Sequence, residues 1–399
     1  MSIATELTAL NTNLQAAKTA VTTKGGTVGN TGLAGLASEI ATIPSGGGSD
    51  DLELPEPETH ECYALLEIQG NTIDDIYVSN MQGNVTAMEF GTSENGNFVK
   101  DTTIPDATIS SGNASTSIPA NKFMARNSGT RQLITKVTTS NIIGSFWQCA
   151  NLVKKIKSKA RITTYSSNDY SRMNTLTTLE ITGATYSSTS FHNLCNAMYS
   201  LETVKLTNCS VSKCGGVFNN CYALKNLELT NFTTTGTTDY SNMFYKCRSL
   251  EKIPNLNITG ATDLTAMFKE CDGIRYGDFR TWDFSTVTAM ANFLGEHYTG
   301  GTFRFSDTFP QTGIPGTGNA WIVSRNNDTS NQVLHITFEN VQRVIPIQIS
   351  GTTMFLGTYT YVYVPDALFA AYQADSNWGA LDTAGRLKKL SEYPGTLPQ

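Results

Sequence analysis

The apolar positions of this chain change period twice, and each period predicts a different element. Ile3, Leu7, Leu10, Leu14, Ala17 and Val21 alternate spacings of four and three, the seam of a short coiled coil. About three heptads do not hold a helix alone, so the seam predicts association between copies. "TTKGGTVGNTGLAGL" breaks that helix, and a second short one is expected around Leu33, Leu36, Ile40 and Ile43, ending before Pro44. Residues 1–44 therefore read as a helical anchoring and oligomerisation segment. "PSGGGSDDLELPEPE" mixes Gly/Ser freedom with acidic, proline-stiffened residues, so 45–58 reads as a flexible linker. Over 59–140 the period drops to two, in segments such as "YALLEI" and "VTAMEF" separated by Gly and Asn, which predicts a small β module.

Beyond that module one pattern recurs. "SFWQCANLVKKI", "VFNNCYALKNLEL", "MFYKCRSLEKI" and "MFKECDGI" share Phe-x-x-Cys-x-x-Leu/Ile, and two degenerate copies, "DYSRMNTLTTLEI" and "LCNAMYSLETVKL", fill the gap. The first position falls on Phe146, Tyr170, Cys195, Phe218, Phe244, Phe268 and Phe293, in steps of 24, 25, 23, 26, 24 and 25 residues. Cys149, Met173, Met198, Cys221, Cys247 and Cys271 hold the second, and Leu152, Leu176, Leu201, Leu224, Leu250 and Ile274 the third; Glu296 ends the series. An apolar pair two residues apart follows, as in Leu179/Ile181 and Leu227/Leu229, and fits a short strand with one face inward. One such unit cannot bury its apolar face, but stacked units make a continuous core. The expected fold is a repeat solenoid of leucine-rich-repeat type, α/β to mostly β, spanning 141–305. The Phe-x-x-Cys-x-x-Leu segment is expected as a helical or irregular turn opposite the strands, and 306–399 as a capping module of strands and a short helix.

The Met-Phe-x-x-Cys-x-x-Leu unit, with "TTDYSN", "ATDLTA" and "DFSTVTAM" before it, resembles the BspA-like leucine-rich repeats of bacterial surface and phage proteins, over Leu133 to Phe305. "TYVYVPDALFAAYQADSNWGALDTAGRLKKLSEYPG", Thr360 to Gly395, is similar to the closing module that often follows such repeats. The start of the chain is similar to tail proteins of phages of Gram-positive bacteria. These resemblances imply a virion tail protein. The chain departs from the repeat family at Cys195, in the aromatic position, and at Met173 and Met198, in the cysteine position.

Composition narrows the chemistry. Charged residues are 16% of the chain and the net charge is -6, so neither a phosphate-binding surface nor a nucleic-acid partner is expected. The basic run Lys154, Lys155, Lys157, Lys159 and Arg161 reads as a solvated face. No segment approaches 18 uninterrupted apolar residues and the first residues lack a signal-peptide pattern, so neither membrane insertion nor export by that route is expected. The glycine run at 25–32 lacks a Gly-Lys-Ser/Thr ending.

Cys247 lies between Lys246 and Arg248, the setting of an activated thiolate. Its recurrence at one repeat position, where Met substitutes, argues instead for a packing role, because Met supplies volume but no nucleophile. Cys209 and Cys214 lie off the series, and a local disulfide between them stays open. The four histidines are scattered. Asp239 and Asp263 each precede a repeat phenylalanine by five residues and should stack on successive coils, as turn hydrogen-bond acceptors or as a cation site. No catalytic residue, cofactor or metal is therefore expected. Trp147, Tyr199, Tyr222, Tyr245 and Arg248 lie beside the inward positions and are the candidate receptor contacts, Tyr, Trp and Arg being the usual anchors of interfaces.

The expected function is that of a non-enzymatic phage tail-fibre or tail-tip subunit. Its N-terminal segment would attach to other tail or baseplate proteins, as a homo-oligomer of which a trimer is the form fibres favour. Its solenoid would meet a host-surface glycan or protein. A tail-associated polysaccharide-degrading enzyme and a bacterial adhesin are the alternatives.

Overall fold

The computed structural model describes residues 51–397 except 112, 147–149, 163–172, 187–193, 235, 315–321 and 324–330, and leaves aside the side chains of 79–83 and 141–150. The helical segment 1–44 with its seam lies outside the described residues, as do Trp147, Cys149, Tyr170 and the side chain of Phe146. Residues 52–125 and 129 onward form one unit.

Period-two residues open this unit as strands β1 (Glu61–Gln69), β2 (Ile76–Glu94), β3 (Asn97–Lys100), β4 (Thr108–Ser110), β5 (Asn113–Ile118), β6 (Met124–Ala125) and β7 (Thr130–Phe146). They pair antiparallel, with β1 in full register against β7 from Glu61↔Thr138 to Gln69↔Thr130. The β7 strand crosses the boundary expected at 140. Residues 52–58 are not a loose linker: Leu52, Pro55 and Pro57 are buried. Leu52 packs with Tyr63, Leu65 and Ile134, and its amide donates to Gln132 Oε1 at 2.8 Å. An apolar residue beside an exposed sheet face lowers its free energy by covering it.

The repeats follow as β8 (Val153–Ser158), β9 (Arg161–Ile162), β10 (Thr178–Thr182), β11 (Thr185–Tyr186), β12 (Thr203–Thr207), β13 (Ser210–Val211) and β14 (Asn226–Thr230). The module and the solenoid share one sheet: β1 pairs antiparallel with β8, after which β8, β10, β12 and β14 run parallel. Leu179, Val204 and Leu227 align across it, as do Ile181, Leu206 and Leu229. Strands β10, β12 and β14 then turn on a left-handed residue, Gly183, Asn208 and Asn231 in turn, the types that tolerate positive φ. The coil carrying Pro254 adds no strand, since proline has no amide to give the ladder. There the sheet stops, and a second parallel sheet begins with β15 (Tyr276–Asp278), β16 (Gly301–Phe305), β17 (Leu334–Phe338), β18 (Thr360–Val364) and β19 (Leu387–Lys389).

The architecture is a β-solenoid of about eight turns, mostly β with little helix. It decides one expectation and corrects another. First, of the helical or irregular turn expected for the Phe-x-x-Cys-x-x-Leu segment the irregular one forms, a chain of tight turns with Cys247 N–H bonded to Phe244 O at 3.0 Å and Leu250 N–H to Cys247 O at 3.1 Å. Alternate amides reach across to the next coil, Asn242 to Thr265 at 2.8 Å, Phe244 to Met267 at 3.0 Å and Lys246 to Lys269 at 2.9 Å. A helix would spend those amides internally; here they join coils, so the turn side is also a ladder. Second, parallel winding runs through the region expected to be a separate cap, as far as Lys389. Short helices at Phe369–Ala374 and Gly379–Thr383 then pack Tyr372, Trp378 and Leu381 onto the core.

Candidate functional site

The thiol positions lie inside the solenoid. Phe218, Cys221, Leu224, Phe244, Cys247, Leu250, Phe268, Cys271 and Ile274 are buried, and Leu152 is half-buried. Phe218 stacks on Phe244 at 5.5 Å between centroids and 11°, and Phe244 on Phe268 at 5.4 Å and 5°. The rings thus follow the rise of one coil, close to the strand spacing of about 4.8 Å. Burial drives the Cys221, Cys247 and Cys271 thiols well above their usual range, the reverse of what a nucleophile needs. Cys209 and Cys214 are free and buried, and burial pushes Cys214 up to about 12.

The inter-coil hydrogen bonds correct the end of the series. Phe268 N–H bonds to Phe293 O at 3.0 Å and Glu270 N–H to Gly295 O at 2.9 Å, so Phe293 answers to Met267 rather than to Phe268. Left-handed residues agree: Asn242/Lys246, Ala266/Glu270 and Asn292/Glu296 repeat at the same coil positions. Leu294 therefore takes the phenylalanine place and His297 the cysteine place. His297 is fully buried, edge-on to Phe303 at 5.1 Å. Reading Phe-x-x-x as the anchor shifts this last repeat by one residue; the Met-Phe pair would have kept it.

Asp239 and Asp263 do stack, as neighbours in a parallel bridge. Each carboxylate caps its own turn: Asp239 Oδ1 accepts from Ser241 N–H at 2.9 Å and Asp263 Oδ1 from Thr265 N–H at 2.8 Å. Among the described residues no three His, Cys, Asp or Glu side chains gather as a metal set. The basic run meets carboxylates: Lys154 pairs with Glu67 at 2.8 Å, and Lys157 pairs with Glu56.

Four of the five candidate contacts form one surface. Tyr199 and Tyr222, 44% and 37% exposed, stack at 5.1 Å and 23°. The Arg248 guanidinium lies 5.4 Å over the Tyr222 ring on the next coil. Glu270, one coil further, joins this row to a second: it pairs with Arg248 at 2.6 Å and Lys246 at 3.7 Å. Tyr245 carries Lys246 at 4.9 Å and Lys269 at 5.6 Å from its ring centre, and Lys269 pairs with Glu296 at 2.9 Å. The hydrogen bond that Arg248 donates to Glu270 holds Arg248 above its ordinary value, and the Tyr245 phenol and the Glu270 charge do the same for Lys246. The arrangement is a row of stacked rings ended by a guanidinium and flanked by lysines, which offers partly exposed rings and fixed cations to an oxygen-rich ligand. The sequence pattern names Lys246 as a neighbour of Cys247 but does not single out Lys269 and Glu270, the two residues just before Cys271.

The same stretch is where known sequences meet this chain. Residues 187–299 match a family described as "Mycoplasma protein of unknown function, DUF285". No curated protein and no solved structure matches. The matched span holds the whole tyrosine surface and the thiol ladder beneath it.

Proposed function

We propose that this protein is a non-enzymatic binding subunit that presents the Tyr199–Tyr222–Arg248 surface to a bacterial cell envelope, as part of a phage tail fibre or tail tip. The observation that carries the reading is the exposed tyrosine stack itself. Even stacked, the two rings keep 44% and 37% of their surface in water, which a ligand would cover, and the solenoid fixes them on successive coils at no further ordering cost. The hydrogen bonds that occupy Asp239 and Asp263 favour binding over glycan hydrolysis, which requires two carboxylates free to act on a sugar. The virion assignment, and attachment through residues 1–44 as an oligomer, rest on the likeness of the N-terminus and of the repeats and closing segment to phage and surface proteins. Labelled protein should be retained on bacterial envelopes, and the Tyr199→Ala/Tyr222→Ala double variant should lose most of that retention with an unchanged melting temperature. Antibody against the chain should decorate tail ends of particles. Release of oligosaccharide from envelopes, or full retention of the double variant, would sink the reading.

A further inference from the structure

The outer face of the second sheet carries a polar network that shares no residue with the tyrosine surface. Strand register sets Tyr276, Thr302, His335 and Tyr361 in one row and Asp278, Arg304, Thr337 and Tyr363 in the next. Arg304, 5% exposed, forks onto Glu339, Nε to Oε1 at 2.7 Å and Nη2 to Oε2 at 2.5 Å, while its Nη1 donates to the Tyr276 hydroxyl at 3.1 Å. Arg280 forks onto Asp278 at 2.9 and 2.7 Å and reaches Glu339 Oε2 at 3.2 Å. Thr337 Oγ1 donates to Glu339 at 2.8 Å. The C-terminal segment crosses this face, with the Tyr393 hydroxyl 2.8 Å from Thr302 Oγ1 and its ring edge-on to His335 at 5.2 Å. Between them opens a cleft of about 640 Å³ walled by Arg280, Arg304, Ser391, Tyr393 and Thr396.

Two features of that wall point to a ligand. Both arginines face the cleft, whereas Asp278 and Glu339, which orient them, are not part of its wall. Every polar side chain the wall offers is a guanidinium or a hydroxyl. The Arg304–Glu339 pair is buried, and a buried ion pair seldom repays its desolvation, so it serves better to hold a guanidinium plane in place than to stabilise the sheet; the half-buried Arg280–Asp278 pair leans on it through Glu339. A planar guanidinium matches a carboxylate in two parallel hydrogen bonds. Tyr393, Ser391 and Thr396 beside it supply an aromatic ring and hydroxyls, the complement of a pyranose, and the volume falls within the roughly 300–1,000 Å³ of small-molecule sites.

We propose that this cleft binds an acidic sugar, with Arg280 receiving its carboxylate and Tyr393 and Thr396 its ring. The site stands independently of the tyrosine surface. Calorimetric titration of the full chain with methyl glucuronoside, methyl glucoside, acetate and inorganic phosphate tests it. The uronoside should bind; the neutral glycoside should bind at least about tenfold more weakly, the effect of one charge-assisted hydrogen bond, and acetate, which keeps that bond but lacks the ring, should also bind more weakly than the uronoside. Arg280→Gln should weaken uronoside binding by about tenfold or more, and Tyr222→Ala should leave it unchanged. Because Arg280 also braces Glu339, Thr396→Val, outside the ion-pair network, is the second variant and should weaken binding several-fold at an unchanged melting temperature. Equal binding of glucoside and uronoside, phosphate binding as tight as the uronoside, no binding of any, or folded variants with full affinity would each overturn the proposal.

Discussion

The thiol of Cys247 donates to the carbonyl oxygen of Phe218, 3.1 Å away on the preceding coil. Cys221 makes the same bond to Cys195 at 2.9 Å, and Cys271 to Phe244 at 2.9 Å. The Phe218 carbonyl already accepts the Cys221 amide at 3.2 Å, so the thiol occupies its second lone pair where the interior is dry. Sulfur is small and apolar enough for a slot between stacked rings and still a weak donor. Met198, one place earlier in the row, fills the slot without that donor.

Cys247→Ala should lower stability by about 1–2 kcal/mol, from the small cavity and the lost donor, read as a shifted urea midpoint with an unchanged slope. Retention on cell envelopes should be unaffected. In native protein Cys221, Cys247 and Cys271 should resist thiol-specific reagents at mildly alkaline pH and react fully once unfolded, since burial disfavours their thiolates. Rapid labelling of folded protein would contradict a packing role.

Arg248→Lys should weaken envelope binding nearly as much as Arg248→Ala. A lysine keeps the charge but loses the plane that lies over Tyr222 and the directed bond to Glu270. A lysine variant with wild-type affinity would show that charge alone matters there.

Gly273 sits where one coil's backbone crosses the next: a Cβ at this position would lie 2.6 Å from Leu250 O and 2.8 Å from Arg248 O. Both obstacles are main chain and cannot swing away. Gly273→Ala should therefore cost about 2 kcal/mol or more, whereas Ser249→Ala, at the exposed equivalent place one coil back, should fall within about 0.5 kcal/mol of wild type. Thermal unfolding of the pair checks the contrast.

Stability should also fall on mild acidification because of His335. Burial lowers its pKa from the ordinary 6.5, and its Nδ1 lies 3.0 Å from the Tyr363 hydroxyl. A proton that the unfolded chain accepts below 6.5 is refused by the folded one, so this contribution is complete above 6.5 and shrinks as pH falls toward the folded value. Melting temperature should drop from about pH 7 to about pH 5.5, and His335→Gln should flatten that part of the profile. Glu339 and Asp278, held below their ordinary 4.5 and 3.8, lose their contributions only at lower pH, so the two windows separate. For Glu339 burial pushes upward and the bonds from Arg304 and Thr337 outweigh it; for Asp278 the Arg280 bond leads.

Phe244, Cys247 and Leu250 recur with their neighbours because each coil must present the same small set of apolar shapes to the next, and that demand is written locally. Gly183, Asn208 and Asn231, which turn β10, β12 and β14 by positive φ, are residue types whose turn preference is equally local. The slip at His297 came from aligning on ring type, when main-chain bonds from Phe268 to Phe293 and Glu270 to Gly295 set the register. Leu52 looked like linker because its flanks are acidic and proline-rich; its burial depends on a sheet face about 80 residues away, as its bond to Gln132 shows.

By itself the sequence determined the period, the inward residues and the choice of a stacked array, because apolar spacing and turn residues act within one coil. Tertiary structure decided the rest. Whether the turn segment forms a helix or a ladder depends on where its amides bond, and they bond to residues of the next coil. Tyr199, Tyr222 and Arg248 become one surface only when coils stack, and Arg304 finds Glu339 35 residues on because two strands lie side by side. Contacts between coils are chosen by the free energy of joining them, and no single stretch of chain contains it.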